Sequence, residues 1–136
     1  MEGTPSYSVP DTLRYTDEHE WAKREAESVR VGVTDYAQHQ MGDIVFVELP
    51  DVGDTYEKGE EFASLESVKA VSEVYLPVKG KILEVNPALK DAPERVNTDP
   101  YGDGWIFKVK ISDSTEADAL MDEGQYQEYL KGLAEE

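Results

Sequence analysis

Phe62-Ala63-Ser64-Leu65-Glu66-Ser67-Val68-Lys69-Ala70-Val71-Ser72-Glu73-Val74-Tyr75-Leu76 decides the fold of this chain. Two strand-like runs meet in it, Phe62, Ala63, Leu65 and Val68 on one side and Ala70, Val71, Val74, Tyr75 and Leu76 on the other, with no Gly, Pro, Asn or Asp between them. If the chain reverses, it reverses at Val68-Lys69. Tight hairpins place Asn-Gly, Asp-Gly or Gly-X at such a point, because the favoured turns need a positive φ that a β-branched residue resists. The turn is therefore poor on folding grounds, and local rules are often broken where a residue serves function. A hairpin would hold the primary amine of Lys69 at an exposed tip. A single long strand would leave it an ordinary solvent-facing lysine.

Working outward, the turn signals Pro50-Asp51-Val52-Gly53-Asp54 and Glu57-Lys58-Gly59-Glu60 space the strands closely, which favours antiparallel β structure over parallel βαβ units. Asp43 to Leu49 is apolar on both faces, as expected of a strand buried on both sides or curling at a sandwich corner, and Pro50 ends it. Thr34 as N-cap, Asp35 in the first turn and Gly42 as terminator predict a two-turn helix over Asp35–Met41. Val29, Val31 and Val33 alternate with Arg30 and Gly32, the period of a half-buried strand. Leu13 to Tyr15 predicts a short strand, and Thr16-Asp17-Glu18 a turn. Gly3, Pro5 and Pro10 mark residues 1–12 as a mobile lead-in outside the fold.

Downstream, Pro77 to Gly80 turns the chain into a strand from Lys81 to Val85, stopped by Asn86-Pro87. Residues 88–104, with Pro93, Pro100, Gly102 and Gly104, read as an irregular surface crossing. Trp105, Phe107, Val109 and Ile111 then alternate with Ile106, Lys108 and Lys110, a clear strand pattern. Ser112-Asp113-Ser114 offers N-caps to a helix over Thr115 to Met121. After a break near Gly124, Tyr126, Tyr129, Leu130 and Leu133 recur at i, i+3, i+4 and i+7. The expectation is one mainly β domain over residues 13–136, mostly strand over 13–111 and helical over 112–136.

A chain of 136 residues can bury roughly two-thirds of its extended surface in a single core. With no cysteine there is no disulfide framework, Cys-based zinc site or thiol nucleophile, so any sulfur chemistry must be attached. A formal charge of -17 repels phosphate backbones and anionic lipids, excluding nucleic acid and membrane surfaces as partners. It suits a carrier steered onto basic docking faces, and equally a protein of a salt-rich cytoplasm or a merely soluble acidic surface. Met1 to Pro10 carry no signal or transit pattern, so the expected location is cytoplasmic, or mitochondrial only if a transit peptide has been removed.

Glu66-Ser67-Val68-Lys69-Ala70, followed by Val74-Tyr75-Leu76-Pro77 and Gly80, resembles the lipoyl-attachment segment of the H-protein family of the glycine cleavage system. Tyr15 to Trp21, Val31 to Gln38, Gly42 to Pro50, Val85-Asn86 and Val96 to Trp105 resemble further family blocks, in family order. The resemblance implies a lipoyl-domain-like barrel-sandwich hybrid of two small antiparallel sheets with short C-terminal helices. It implies lipoate in amide linkage to Lys69, with Glu66, Ser67, Val68 and Ala70 recognised around it. Lysine stem and lipoyl chain together span about eleven bonds, a reach on the order of 14 Å. The family's role is to carry an aminomethyl group from a pyridoxal-phosphate glycine decarboxylase to an aminomethyltransferase using tetrahydrofolate. Its dithiol then goes to a dihydrolipoyl dehydrogenase using FAD and NAD, and a lipoylating enzyme is the remaining partner. The chain would be a monomeric shuttle, not a catalyst. Glu18, His19, Glu20 and Glu73 are implied as a surface on which the arm rests.

His19 between two carboxylates also admits acid-base chemistry or metal ligation, but no second histidine has ligand spacing to it, and no metal is expected. Glu73 reads equally as solvated strand polarity. Some family members have a histidine where Gln40 stands. Trp21 and Trp105 read as core or rim aromatics, and Gly102-Asp103-Gly104 as a turn. Rival readings are a biotin carrier, whose lysine is usually bracketed by methionines where Val68 and Ala70 stand, a lipoyl domain of a 2-oxo acid dehydrogenase, and an H-like lipoyl relay.

Overall fold

The computed structural model describes residues 7–111 and 114–134. Where apolar residues alternate, the chain pairs into strands: β1 Arg14–Tyr15, β2 Glu20–Glu25, β3 Ser28–Val33, β4 Ile44–Glu48, β5 Thr55–Tyr56, β6 Glu61–Ser67, β7 Val71–Tyr75, β8 Gly80–Val85 and β9 Phe107–Ile111. The helices are α1 Asp35–Met41, α2 Ala88–Asp91, α3 Arg95–Thr98, α4 Ser114–Asp118 and α5 Glu123–Ala134. Every pairing is antiparallel, in two sheets ordered β1-β2-β3-β9-β8-β5 and β4-β6-β7. The fold is thus mainly β with two antiparallel sheets and short helices, as expected.

The sheets share one core. Val29, Val31, Ile82, Phe107 and Val109 from the larger sheet pack with Ile44, Val47, Leu65 and Val74 from the smaller. Each such side chain, fully buried, contributes about 1.5–3 kcal/mol of transfer free energy. A second cluster joins α5 to the edge of the larger sheet: Tyr126 and Leu130 lie against Leu13, Tyr15 and Trp21, with Tyr129 and Leu133 partly buried beside them. The helical spacing read from the sequence therefore lays its apolar stripe on β1 and β2.

α1 begins and ends as expected, Thr34 accepting the Ala37 amide and Gly42 closing the helix with φ +79°. Four expectations are corrected. β3 is not half-buried: the Trp21 indole covers its second face so closely that a Cβ at Gly32 would sit 2.7 Å from the ring. β4 is not buried on both sides, because a bulge between Ile44 and Phe46 turns Val45 and Phe46 out to solvent and leaves only Ile44 and Val47 inside. Residues 88–104 are not a structureless crossing: α2 and α3 follow Pro87 and Pro93, residues suited to helix starts, and each buries one apolar side chain, Leu89 and Val96. The C-terminal helical break falls before Gly124, where Met121 and Tyr15 exchange backbone hydrogen bonds of 2.8 and 2.9 Å.

Ser112 and Asp113, expected as caps, lie outside the described residues, as do residues 1–6 of the expected lead-in. From Tyr7 onward that segment lies against the fold. The Ser8 amide donates to Asp35, Ser8 O accepts from the Tyr101 hydroxyl, and Tyr7 meets the Tyr36 ring edge-on at 5.1 Å.

Candidate functional site

β6 and β7 form a hairpin in the register Leu65↔Ser72 and Glu66↔Val71, closed by a 2.8 Å bond from the Ser67 amide to Ala70 O. The single-strand alternative is thereby excluded. The poor turn chemistry is resolved by Ser67. Its buried hydroxyl accepts the amides of Lys69 at 3.3 Å and Ala70 at 3.1 Å, and lies 3.3 Å from Ala70 O, to which it donates. A short hydroxyl side chain thus supplies the bonds that an Asn-Gly turn would otherwise make. Val68 and Lys69 keep negative φ, since the non-glycine residues with positive φ among those described are His19 and Ala26. The tip projects Val68, 79% exposed, with Lys69 and Ala70 also exposed.

The Lys69 stem passes over the corner between α1 and β4. Lys69 Cε lies 3.5 Å from where a Cβ at Gly42 would sit, an ordinary packing distance, so glycine here serves the positive φ while the lysine stem packs over it. Asn97 of α3 pins that corner: Nδ2 donates to Gly42 O at 2.8 Å and to Gln38 Oε1 at 3.0 Å, while Oδ1 accepts the Ile44 amide at 2.9 Å. Among the described residues, Lys69 Nζ has no ion-pair partner. Sequence reading missed both the packing of Lys69 over Gly42 and Asn97 as the brace of that corner.

At the base of the hairpin, Glu20 reaches across from β2. It is 2% exposed, its Oε1 accepts from the Thr16 hydroxyl at 2.6 Å, and its Oε2 accepts the Tyr75 amide at 3.1 Å. The Thr16 hydroxyl also accepts the amides of Glu18 and Glu20, so its one proton is committed to the carboxylate. Burial pushes the Glu20 carboxyl up to about 7 against the opposing pull of these hydrogen bonds. His19 sits in the left-handed region, φ 71°. Its Nδ1 is 2.8 Å from the Tyr126 hydroxyl, which is itself 2.8 Å from Thr34 Oγ1, and burial lowers the imidazole pKa. His39 is elsewhere, exposed on α1 and 3.3 Å from Asp35.

Of the residues singled out in the sequence, Glu66, Ser67, Val68, Lys69 and Ala70 stand together at the tip. Glu73 is exposed midway along β7, opposite Ser64. Glu18 and Glu20, with Tyr75, Leu76 and Met121, line a hollow of about 320 Å³ at the other end of that strand. Tyr75 is six residues from Lys69, roughly 20 Å of extended strand. Glu18 is exposed, whereas the His19 and Glu20 side chains are spent on holding the loop to α5 and to β7. Trp21 is a core residue whose Nε1 donates to Pro100 O, and Trp105 a rim residue with the Arg30 guanidinium 4.4 Å above its ring. Among the described residues no helix is long and apolar enough to cross a membrane.

Residues 13–133 match the family model described as glycine cleavage H-protein. The chain is 54% identical over 126 residues to the glycine cleavage system H protein of Thermus thermophilus, covering 93% of this chain and 98% of that relative. It is 53% identical over 124 residues to the protein of the same name from Bacillus licheniformis, covering 91% and 98%. The crystal structure of a glycine cleavage system H protein from Mycobacterium marinum superposes with a TM-score of 0.80 at 38% identity, covering 92% of this chain and 98% of that one.

Proposed function

The chain belongs to the glycine cleavage H-protein family, and from that premise we propose that Lys69 is the residue through which it serves as the lipoyl-bearing shuttle of the glycine cleavage system. The role is that of a carrier, not a catalyst. An attached lipoyl group supplies the redox-active sulfurs that a chain without cysteine lacks. The observation that carries the assignment to Lys69 is an exposed amine, without an ion-pair partner among the described residues, on a tip locked by the Ser67 hydroxyl and seated over the open Gly42 corner.

The chain's own residues supply placement. Ser67 holds the backbone from which the lysine stem leaves, and the stem packs over Gly42. Glu66, Ser67, Val68 and Ala70 form the local surface that a lipoylating enzyme reads. Glu18 and Glu73 are the exposed carboxylates of the resting surface, while Glu20 and His19 hold the loop that carries Glu18. The partners are the other components of the system: glycine decarboxylase, aminomethyltransferase and dihydrolipoyl dehydrogenase. The relay and 2-oxo acid dehydrogenase readings are not favoured by relatives that share this chain's whole matched length.

Intact-mass measurement of protein made in cells with an active lipoylation route tests the assignment. One lipoyl amide per chain should map to Lys69 and disappear in Lys69→Arg. That variant should also lose glycine-dependent carboxyl exchange with glycine decarboxylase while unfolding like the wild type. Modification mapped to another lysine, or exchange surviving in Lys69→Arg, would overturn it.

A further inference from the structure

The described residues include six exposed large apolar side chains, and four of them, Val45, Phe46, Val68 and Val71, border the Lys69 tip. They converge through pairing. Phe46, Glu66 and Val71 lie opposite one another across β4, β6 and β7, and so share the outer face of the three-stranded sheet. Val45 joins them only because the β4 bulge turns two consecutive residues outward where a regular strand would bury one. Val45 and Phe46 are 49% and 55% exposed, Val71 61%. One row further along the same face stand Glu48, Ser64 and Glu73, and with Glu66 they set three exposed carboxylates around the apolar strip.

Resting on the assignment of Lys69 above, we propose that the outer face of β4-β6-β7, centred on Val45 and Phe46, is the docking surface for the enzyme that acylates Lys69, which presents an apolar contact with a cationic rim. Reach selects this occupant. Only the acylating enzyme must bring its reacting atoms to Lys69 Nζ itself; the others act at sulfurs about six bonds, on the order of 8 Å, further out along the arm. An enzyme seated on the nitrogen contacts the side chains beside the tip, and these are Val68, Val71 and Phe46. The acidic rim, on a chain of net charge -17, selects lysine and arginine around that contact. The transfer is an aminolysis. The Nζ lone pair attacks the carbonyl carbon of an activated lipoyl donor, an acyl adenylate or thioester. The N–C bond forms as the C–O or C–S bond to the leaving group breaks, and the nitrogen's proton passes to solvent.

The test uses the full unacylated chain, a purified lipoate–protein ligase supplied with lipoate and ATP, and initial acylation rates read by intact mass. Val45→Ser/Phe46→Ser should lower kcat/KM about tenfold or more, mostly through KM, and weaken direct binding of the unacylated chain to the ligase to match. Glu48→Lys/Glu73→Lys should raise KM and flatten its dependence on salt. Leu83→Ser, a substitution at an exposed residue of the larger sheet, should behave as wild type. Both double variants replace exposed side chains, and unchanged thermal unfolding verifies their fold. Wild-type acylation rates in the serine variant would overturn the proposal while leaving Lys69 as the attachment site. Failure of the wild type to be acylated at Lys69 would overturn both. A wild-type dimer that dissociates on Phe46→Ser would give the face to a second copy of the chain and overturn the docking assignment.

Discussion

Replacing Glu20 by glutamine should change how the stability of this protein depends on pH, with a sign opposite to that of an ordinary salt-bridged carboxylate. The Glu20 carboxyl titrates near 4.5 in the unfolded chain and about 7 in the fold, because burial outweighs the bonds from Thr16 and Tyr75. The folded state therefore holds this proton more tightly. Its favourable contribution is complete below about pH 4.5, is lost as pH rises toward 7, and is gone above that. The gap corresponds to about 3 kcal/mol, of which about 2 kcal/mol falls between roughly pH 5.5 and 8.5. An amide cannot ionise, so Glu20→Gln lacks this slope. Urea unfolding followed by tryptophan fluorescence, with wild type and variant measured at each pH, cancels the titration of the other acidic groups in the difference. The stability of Glu20→Gln relative to wild type should rise by about 2 kcal/mol across that window. A difference that stays level, or that grows as pH falls, would show that the two hydrogen bonds dominate burial and would refute the reasoning.

Ser67→Ala removes the acceptor of the Lys69 and Ala70 amides and should cost about 1 kcal/mol, felt mainly at the tip. Amide exchange at Lys69 and Ala70 should accelerate with little change in global unfolding, and unaltered exchange would show that the backbone alone holds the turn. Gly32→Ala forces a Cβ to within 2.7 Å of the Trp21 ring, whose Nε1 is tied to Pro100. Displacing the indole should cost about 2 kcal/mol or more and lower Tm by several degrees, read by calorimetry and by loss of the near-ultraviolet tryptophan signal.

The hairpin, the bounds of α1, the alternation in β9 and the apolar stripe of α5 were legible in the sequence, because each rests on neighbours within one or two turns or strand steps. The tip was legible in part: missing turn glycines flagged Lys69, but the serine that replaces them was read only as a recognition residue. The bulge that exposes Val45 and Phe46 was not legible, since a run apolar on both faces looks the same whether partners cover one side or two. Nor were the small helices α2 and α3, whose single buried side chains, Leu89 and Val96, acquire a period only once the core exists to receive them. What the chain alone determined was most of the strands, β2 and β5 excepted, and the lysine between two of them. What only the tertiary structure decided was the ground on which that lysine stands. Glu20 meets Tyr75 across 55 residues, and Asn97 meets Gly42 across 55 more. Bonds spanning such separations leave no local pattern, since their free energy is realised only after both sheets have closed on a common core.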